Sequence, residues 1–366
     1  MKRNAKLDGL RFLFAVAVMI LHSNTFQEKG HWFPGAVMGV EFFLILSGYL
    51  MAVSIQKKNE RGEEIEDLGQ ETWDFLARKL RSFMPELLAS LIIGFSWMEV
   101  VWQDGSIRLL VKRLLSIVWE PLLLSTAGFG TVRINGVDWY LSAMIFAMLI
   151  LYPICRKYFS MSTHVIMPAA AILIFGYFCR EYGKTSGVYT EIGFVYKCLL
   201  RAFAGLALGL SCYPIITGLK KRKYTERQRI LLTVAETVIY LGVFGYMFRY
   251  SKKQFDMVCL LMIVVGFCIT SLEQGCLDHL FSQKVCAYLG KASLIIFFSH
   301  SYIGRALGVL LPGRPYLYVL GIYVALSAIN AGAVYALAVF IRRHFFLQHS
   351  ERAMQNAQNI QFDKKQ

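Results

Sequence analysis

Long apolar runs divide this chain, each closed off by a short cluster of charged or turn-forming residues. A helix needs about 17–25 mostly apolar residues to cross a bilayer core. Runs of that kind lie near 7–26, 36–55, 82–102, 138–158, 162–179, 194–216, 230–248, 255–272, 285–310 and 316–341. One further stretch, SIRLLVKRLLSIVWEPLLL at 106–124, sets Arg108, Lys112 and Arg113 among Leu, Val and Ile before Glu120-Pro121 breaks the helix. It reads as a helix lying at the outer interface or re-entering from it. The pattern therefore predicts an all-α polytopic membrane protein, with about ten transmembrane helices plus an interfacial or re-entrant outer helix. A single membrane domain over 1–345 is expected, followed by a polar cytoplasmic tail over 346–366. Lys2, Arg3 and Lys6 precede the first run, yet no small-x-small site follows His22-Ser-Asn-Thr-Phe, so that run reads as an uncleaved span.

Composition agrees with this solvent. The residues AVILMFWYC make up 56% of the chain, above the 45–50% usual in soluble domains even with Gly counted. Charge fixes an orientation. With the N-terminus in the cytoplasm, the loops on that side hold Lys57, Lys58, Arg61, Arg78, Lys79 and Arg81, then Arg156 and Lys157, then Lys220, Lys221, Arg222, Lys223, Arg227 and Arg229. Arg342 and Arg343 follow the last run, while the opposite loops hold fewer, among them Lys29, Arg180, Lys184, Arg249, Lys252 and Lys253. The positive-inside rule then puts both termini in the cytoplasm of a multi-pass cell-membrane protein. The net charge of +15 follows from this asymmetry and from attraction to membrane lipid, without a nucleic-acid partner.

The eight cysteines include no C-x-x-C pair and sit mostly in apolar runs, which predicts neither a disulfide framework nor a metal site. The seven histidines lack H-x3-H or HExxH spacing, so acid–base chemistry suits them better than ligation.

Ionisable residues inside the runs are the candidates for chemistry. In LRFLFAVAVMILH, Arg11 and His22 are eleven residues apart. At about 100° per residue they share one helical face, about 16 Å apart in depth. The plainer reading has Arg11 snorkelling to the interface and His22 hydrogen-bonded to a neighbouring helix. Glu41, in GVEFFLILSGYLMA, falls near the outer end of the second span, at the depth of His22. A carboxylate on an imidazole N–H orients the ring for general-base work; otherwise Glu41 faces the outer interface. Arg78 and Arg81 stand at i and i+3 with Lys79 beside them, a fork for phosphate or pyrophosphate, or else an interfacial anchor. Arg201, within an apolar run, must meet a carboxylate, a backbone carbonyl or an anionic ligand. His300 reads as a hydrogen-bonding group of the bundle interior rather than a second base.

These segments resemble the acyltransferase-3 family of integral membrane acyltransferases. LDGLRFLFAVAVMILH is similar to its opening R-x10-H helix, GVEFFLILSGYL to its second-helix pattern and FLARKLRSFMPELL to its RxxR segment. Trp139-Tyr140-Leu141-Ser142 followed by LILYP, LLRAFAGLALG with Arg201, and LGKASLIIFFSH ending at His300 match later motifs in the expected order. The chain departs from the pattern where many members carry Glu-Glu after W-x-L-S, since AMIFAM has no carboxylate, and Leu294 replaces the usual Tyr. No hydrolase-like domain is expected, which makes this a stand-alone member. The resemblance implies transfer of an acyl group, most often acetyl, from cytoplasmic acyl-CoA to a hydroxyl of an extracytoplasmic or lipid-linked glycan, without a metal. Joined to the depths and faces above, this chemistry makes His22 the general base, with Glu41 set beside it by depth, and Arg11, Arg78 and Arg81 the donor-binding residues, with Arg201 either a further donor-binding residue or a structural partner. The alternative is a membrane transporter or flippase for a glycan or small anion, whose charges would also face an internal path.

Overall fold

The computed structural model describes residues 4–347 except 29, 31, 103–105, 130–132, 250–254, 277 and 279–282. Lys2, Arg3, Lys29, Lys252, Lys253 and the expected tail from residue 348 onward lie outside the described residues. The helices are α1 (Ala5–Leu21), α2 (Gly39–Glu60), α3 (Leu68–Trp102), α4 (Ile107–Ile117), α5 (Trp139–Lys157), α6 (Phe159–Met161), α7 (Met167–Tyr182), α8 (Lys197–Lys220), α9 (Glu226–Arg249), α10 (Asp256–Leu272), α11 (Gln283–Leu310) and α12 (Tyr316–Ile341). A π-helical turn at Ser162–Ile166 joins α6 and α7 into one rod. A two-stranded hairpin, Glu191–Ile192 with Val195–Tyr196, precedes α8.

Eight of these rods are long and apolar enough to cross a membrane. The apolar α10 has 17 residues, and α1, also 17 residues, carries Lys6, Asp8 and Arg11. The fold is thus all-α and polytopic. The largest departure from the expected spans is α3, which begins at Leu68 rather than near 82. Its first half, LGQETWDFLARKLRSFM, is rich in good helix formers and has no breaker between Gly69 in its first turn and Pro85. The extension is also anchored, because the Glu71 carboxylate receives Tyr152 Oη at 2.7 Å, Arg156 Nε at 2.8 Å and Lys58 Nζ at 3.1 Å.

Several ion pairs fall towards one side of the bundle, each including a residue at or next to a helix terminus that alternation puts there. Lys6 meets Glu236 at 2.6 Å, Lys220 meets Glu273 at 3.4 Å and Arg342 meets Glu86 at 2.6 Å, in addition to the Glu71 group. This is the basic end of the bundle; His22 and His300 lie towards the other. On α4 no residue is buried: Ile107, Val111, Leu114 and Leu115 are exposed beside Arg108 and Lys112, while Arg113 sits 4.6 Å over the Trp102 ring. An apolar stripe bordered by cations and left uncovered by protein has the form of an interfacial helix.

Two helix crossings are close enough to exclude a side chain. A Cβ on Gly48 would strike the carbonyl of Leu206, and one on Gly209 would strike that of Ile45, so α2 and α8 meet backbone to backbone. On α11, a Cβ on Gly308 would lie 2.7 Å from the Thr25 carbonyl oxygen, and one on Gly304 would crowd the Thr25 hydroxyl. The turn that ends α1 therefore rests directly on α11.

Candidate functional site

α1 ends at His22, where Ser23, Asn24 and Thr25 form a 3-10 turn and the Thr25 hydroxyl donates to the His22 carbonyl at 2.7 Å. Such short polar side chains compete with the helical ladder. The His22 Nδ1 atom lies 2.8 Å from the Val18 carbonyl oxygen. On α11, His300 Nδ1 lies 2.8 Å from the Ile296 carbonyl oxygen, and its Nε2 is 3.2 Å from His22 Nδ1. A carbonyl oxygen only accepts, so each neutral ring is assigned its proton on Nδ1. His300 Nε2 then faces the His22 Nδ1–H with a lone pair, and the basic nitrogen left to His22 is Nε2. His300 is fully buried and His22 partly exposed.

Glu41 does not join this pair. The expectation that it orients His22 is corrected by its ion pair with Arg201, Nε to Oε1 at 2.6 Å, with Arg201 Nη2 donating to the Val37 carbonyl at 2.8 Å. Both side chains are buried, and the guanidinium carbon lies 5.6 Å from the Trp139 ring centroid. Depth was legible, but the helical face was not. Glu41 lies on the side of α2 that meets α8, where a permanent cation holds a buried carboxylate more strongly than a neutral imidazole does. Arg201 thus meets a carboxylate and a backbone carbonyl, two of the partners that its burial in an apolar run requires. Lys220, at the basic end of α8, is 19 residues further on, about 28 Å along the helix.

Arg11 lines a cleft of about 250 Å³ enclosed by α1, α2, α3, α5 and α11. Lys79 and Ser82 line it from α3, Ser47 from α2 and Ser293 from α11, and its walls are otherwise mainly apolar. Arg11 also meets Asp8 at 3.2 Å. Towards the histidines the lining includes Phe43, Tyr140 and Phe297. Phe297 packs 5.5 Å from Tyr140, 6.1 Å from Phe43 and 6.2 Å from His300, centroid to centroid. One aromatic ring therefore separates the end of the cleft from the histidine pair. The structure does not bring Arg78 and Arg81 into this lining beside Arg11. Lys79, Ser82 and Phe83 form the face of α3 turned into the cleft, while Arg78 and Arg81 are exposed off that face. In the sequence Lys79 stands only as a neighbour of the arginines. Its i, i+3, i+4 relation to Ser82 and Phe83 was the available signal.

Beyond the histidines, the segment leading into α5 is held at both edges. Glu120 accepts the backbone N–H groups of Ile134 and Asn135, while Arg305 donates to the carbonyls of Arg133 and Ile134. Burial, with the Asp138 carboxylate next in effect, pushes Glu120 up to about 8. In the sequence this residue had appeared only as part of a helix break. Among the described residues, no three of His, Cys, Asp and Glu come together in a group able to hold a metal ion.

The acyltransferase-3 family model, described as an acyltransferase domain, matches residues 4–341. The chain is 30% identical to the O-acetyltransferase OatA of Staphylococcus aureus (strain NCTC 8325 / PS 47) over 82 residues, 22% of this chain and 12% of that protein. The OatA protein of strain COL gives the same figures. The match thus spans about one-eighth of the length of these relatives. No solved structure matches.

Proposed function

The chain belongs to the acyltransferase-3 family, and from that premise we propose that it is a membrane O-acetyltransferase of the cell membrane with both termini in the cytoplasm. It takes an acyl group, acetyl by analogy with the names of its relatives, from cytoplasmic acyl-CoA to a hydroxyl of an extracytoplasmic or lipid-linked glycan. In this reading residues 1–345 act as one membrane domain.

The observation that carries the reading is a cleft with cations at one end and a histidine pair one ring beyond the other. Coenzyme A is a polyanion on a long flexible arm. Arg11 and Lys79 suit its phosphates, the apolar middle suits the arm, and the thioester arrives beside Phe297 near His22. His22 Nε2 takes the proton of the acceptor hydroxyl as that oxygen attacks the thioester carbonyl. The carbon–sulfur bond then breaks, and the proton on Nε2 passes to the departing thiolate, giving the ester and free coenzyme A. A direct transfer of this kind is more economical than a route through an acyl-imidazole.

The test uses the full chain in nanodiscs with acetyl-CoA and a panel of methyl glycosides, following free thiol and acetylated sugar. The expected result is thiol release coupled to sugar acetylation, abolished by His22→Ala. Uptake of a glycan without thiol release would overturn the enzyme reading in favour of transport.

A further inference from the structure

We infer that His300 is a positioning residue that fixes the tautomer of His22 and shares the charge formed when His22 takes up a proton. The inference rests on the reading of His22 as the general base.

The argument starts with orientation. An imidazole whose Nδ1–H meets a single carbonyl one turn back is held on one side only. In His22 the same N–H also faces His300 Nε2, so 2.8 Å to Val18 and 3.2 Å to His300 make a three-centre arrangement. His300 can accept there only because its own proton is on Nδ1, where the Ile296 carbonyl receives it at 2.8 Å. The relay runs from Ile296 through His300 to His22 and leaves His22 Nε2 with its lone pair. The rings cross at 65° with centroids 4.7 Å apart, which directs the His300 lone pair to an edge of His22 rather than to its face. Gly304 and Gly308 make this distance attainable by letting the turn after His22 lie on α11.

The partner's neutrality also matters. A carboxylate in this place would raise the share of charged imidazole before any hydroxyl arrived. A neutral imidazole leaves His22 free to accept, then strengthens its hydrogen bond once His22 becomes cationic, because bonds to an ionised donor are stronger than neutral ones. The arrangement does the work of an orienting group in a hydrolase triad, using a lone pair instead of a negative charge.

His300→Ala should lower kcat roughly 10²-fold with the acetyl-CoA KM unchanged. His300→Gln, whose amide oxygen can accept where Nε2 did, should recover activity to within roughly tenfold of wild type. No loss in His300→Ala, or no recovery in His300→Gln, overturns the inference while His22→Ala remains inactive. Activity retained by His22→Ala overturns the base assignment itself and this inference with it. Nitrogen NMR of histidine-labelled wild-type protein gives a readout independent of turnover and of mutant folding. It should show both rings protonated at Nδ1, and a His22 protonated at Nε2 would overturn the inference.

Discussion

Two polar pairs lie near the same end of the bundle, and they differ in how far they are closed off. Glu41 and Arg201 neutralise each other at 2.6 Å, with the arginine also bound to a carbonyl and seated near the face of Trp139. His22 and His300 meet at 3.2 Å through one lone pair and one N–H, which leaves a second basic nitrogen on the partly exposed ring. The first pair is closed in charge, since an ion pair in an apolar slab survives only when each charge is held by the other, although Glu41 Oε2 is buried without a hydrogen-bond partner. The second is open, and openness is what chemistry requires. Burial and charge alone would have ranked Glu41 and Arg201 as the reactive group, whereas a basic nitrogen on the partly exposed His22 points to the histidines.

The sharpest way to break the comparison is His22→Ala, expected to lower acetyl transfer by at least roughly 10³-fold with little change in thermal stability. Transfer at wild-type rate in a thiol-release assay would put His22 in the closed class. Glu41→Gln or Arg201→Leu should do the reverse, costing about 3–5 kcal/mol of stability by stranding one charge. The double variant Glu41→Leu/Arg201→Leu should be more stable than either single one, which thermal unfolding in nanodiscs can check. Equal destabilisation of all three would mean that the pair is not closed. At the far end of the cleft, Lys79→Gln or Arg11→Gln should raise the acetyl-CoA KM roughly tenfold, an effect that added salt diminishes. Arg78→Lys and Arg81→Lys, off the cleft face, should change it by less than about twofold. The smallest effect concerns Glu120, whose proton the folded state binds more tightly than the unfolded chain. Its contribution to stability is full below the ordinary carboxylate value of 4.5, falls as pH rises towards about 8, and then levels off. Glu120→Gln should flatten the dependence of melting temperature on pH across that window, and an unchanged slope would assign it to another group.

Most of the fold was legible because hydrocarbon thickness and apolar run length are one constraint seen from two sides. The last run, 316–341, coincides with α12, and 255–272 differs from α10 by one residue. The start of α3 was hidden because its first turns are helical without being apolar, and hydropathy registers solvent rather than backbone. The candidate site was legible by depth and not by face. Arg11, His22 and Glu41 all fell at informative heights, yet only rotation about each helix decides that Glu41 meets Arg201, that Lys79 enters the cleft and that His300 meets His22. Rotation is set by packing between helices far apart in sequence, here by glycines at 48, 209, 304 and 308.

The contact between α2 and α8 carries a mechanical consequence. Helices touching through side chains can slide as rotamers rearrange, but helices touching at Gly48 and Gly209 have nothing between them to rearrange. They behave as one beam, stiffened further by the ion pair near one end. Strain applied to the bundle, whether by bilayer thickness or by a ligand arriving between helices, is then taken up on the opposite wall. There α3, α5 and α11 border the cleft through long side chains such as Lys79, Met144 and Phe297. The α2 side of the cleft is therefore the fixed one, and adjustment to an arriving ligand falls to the helices that border it through side chains.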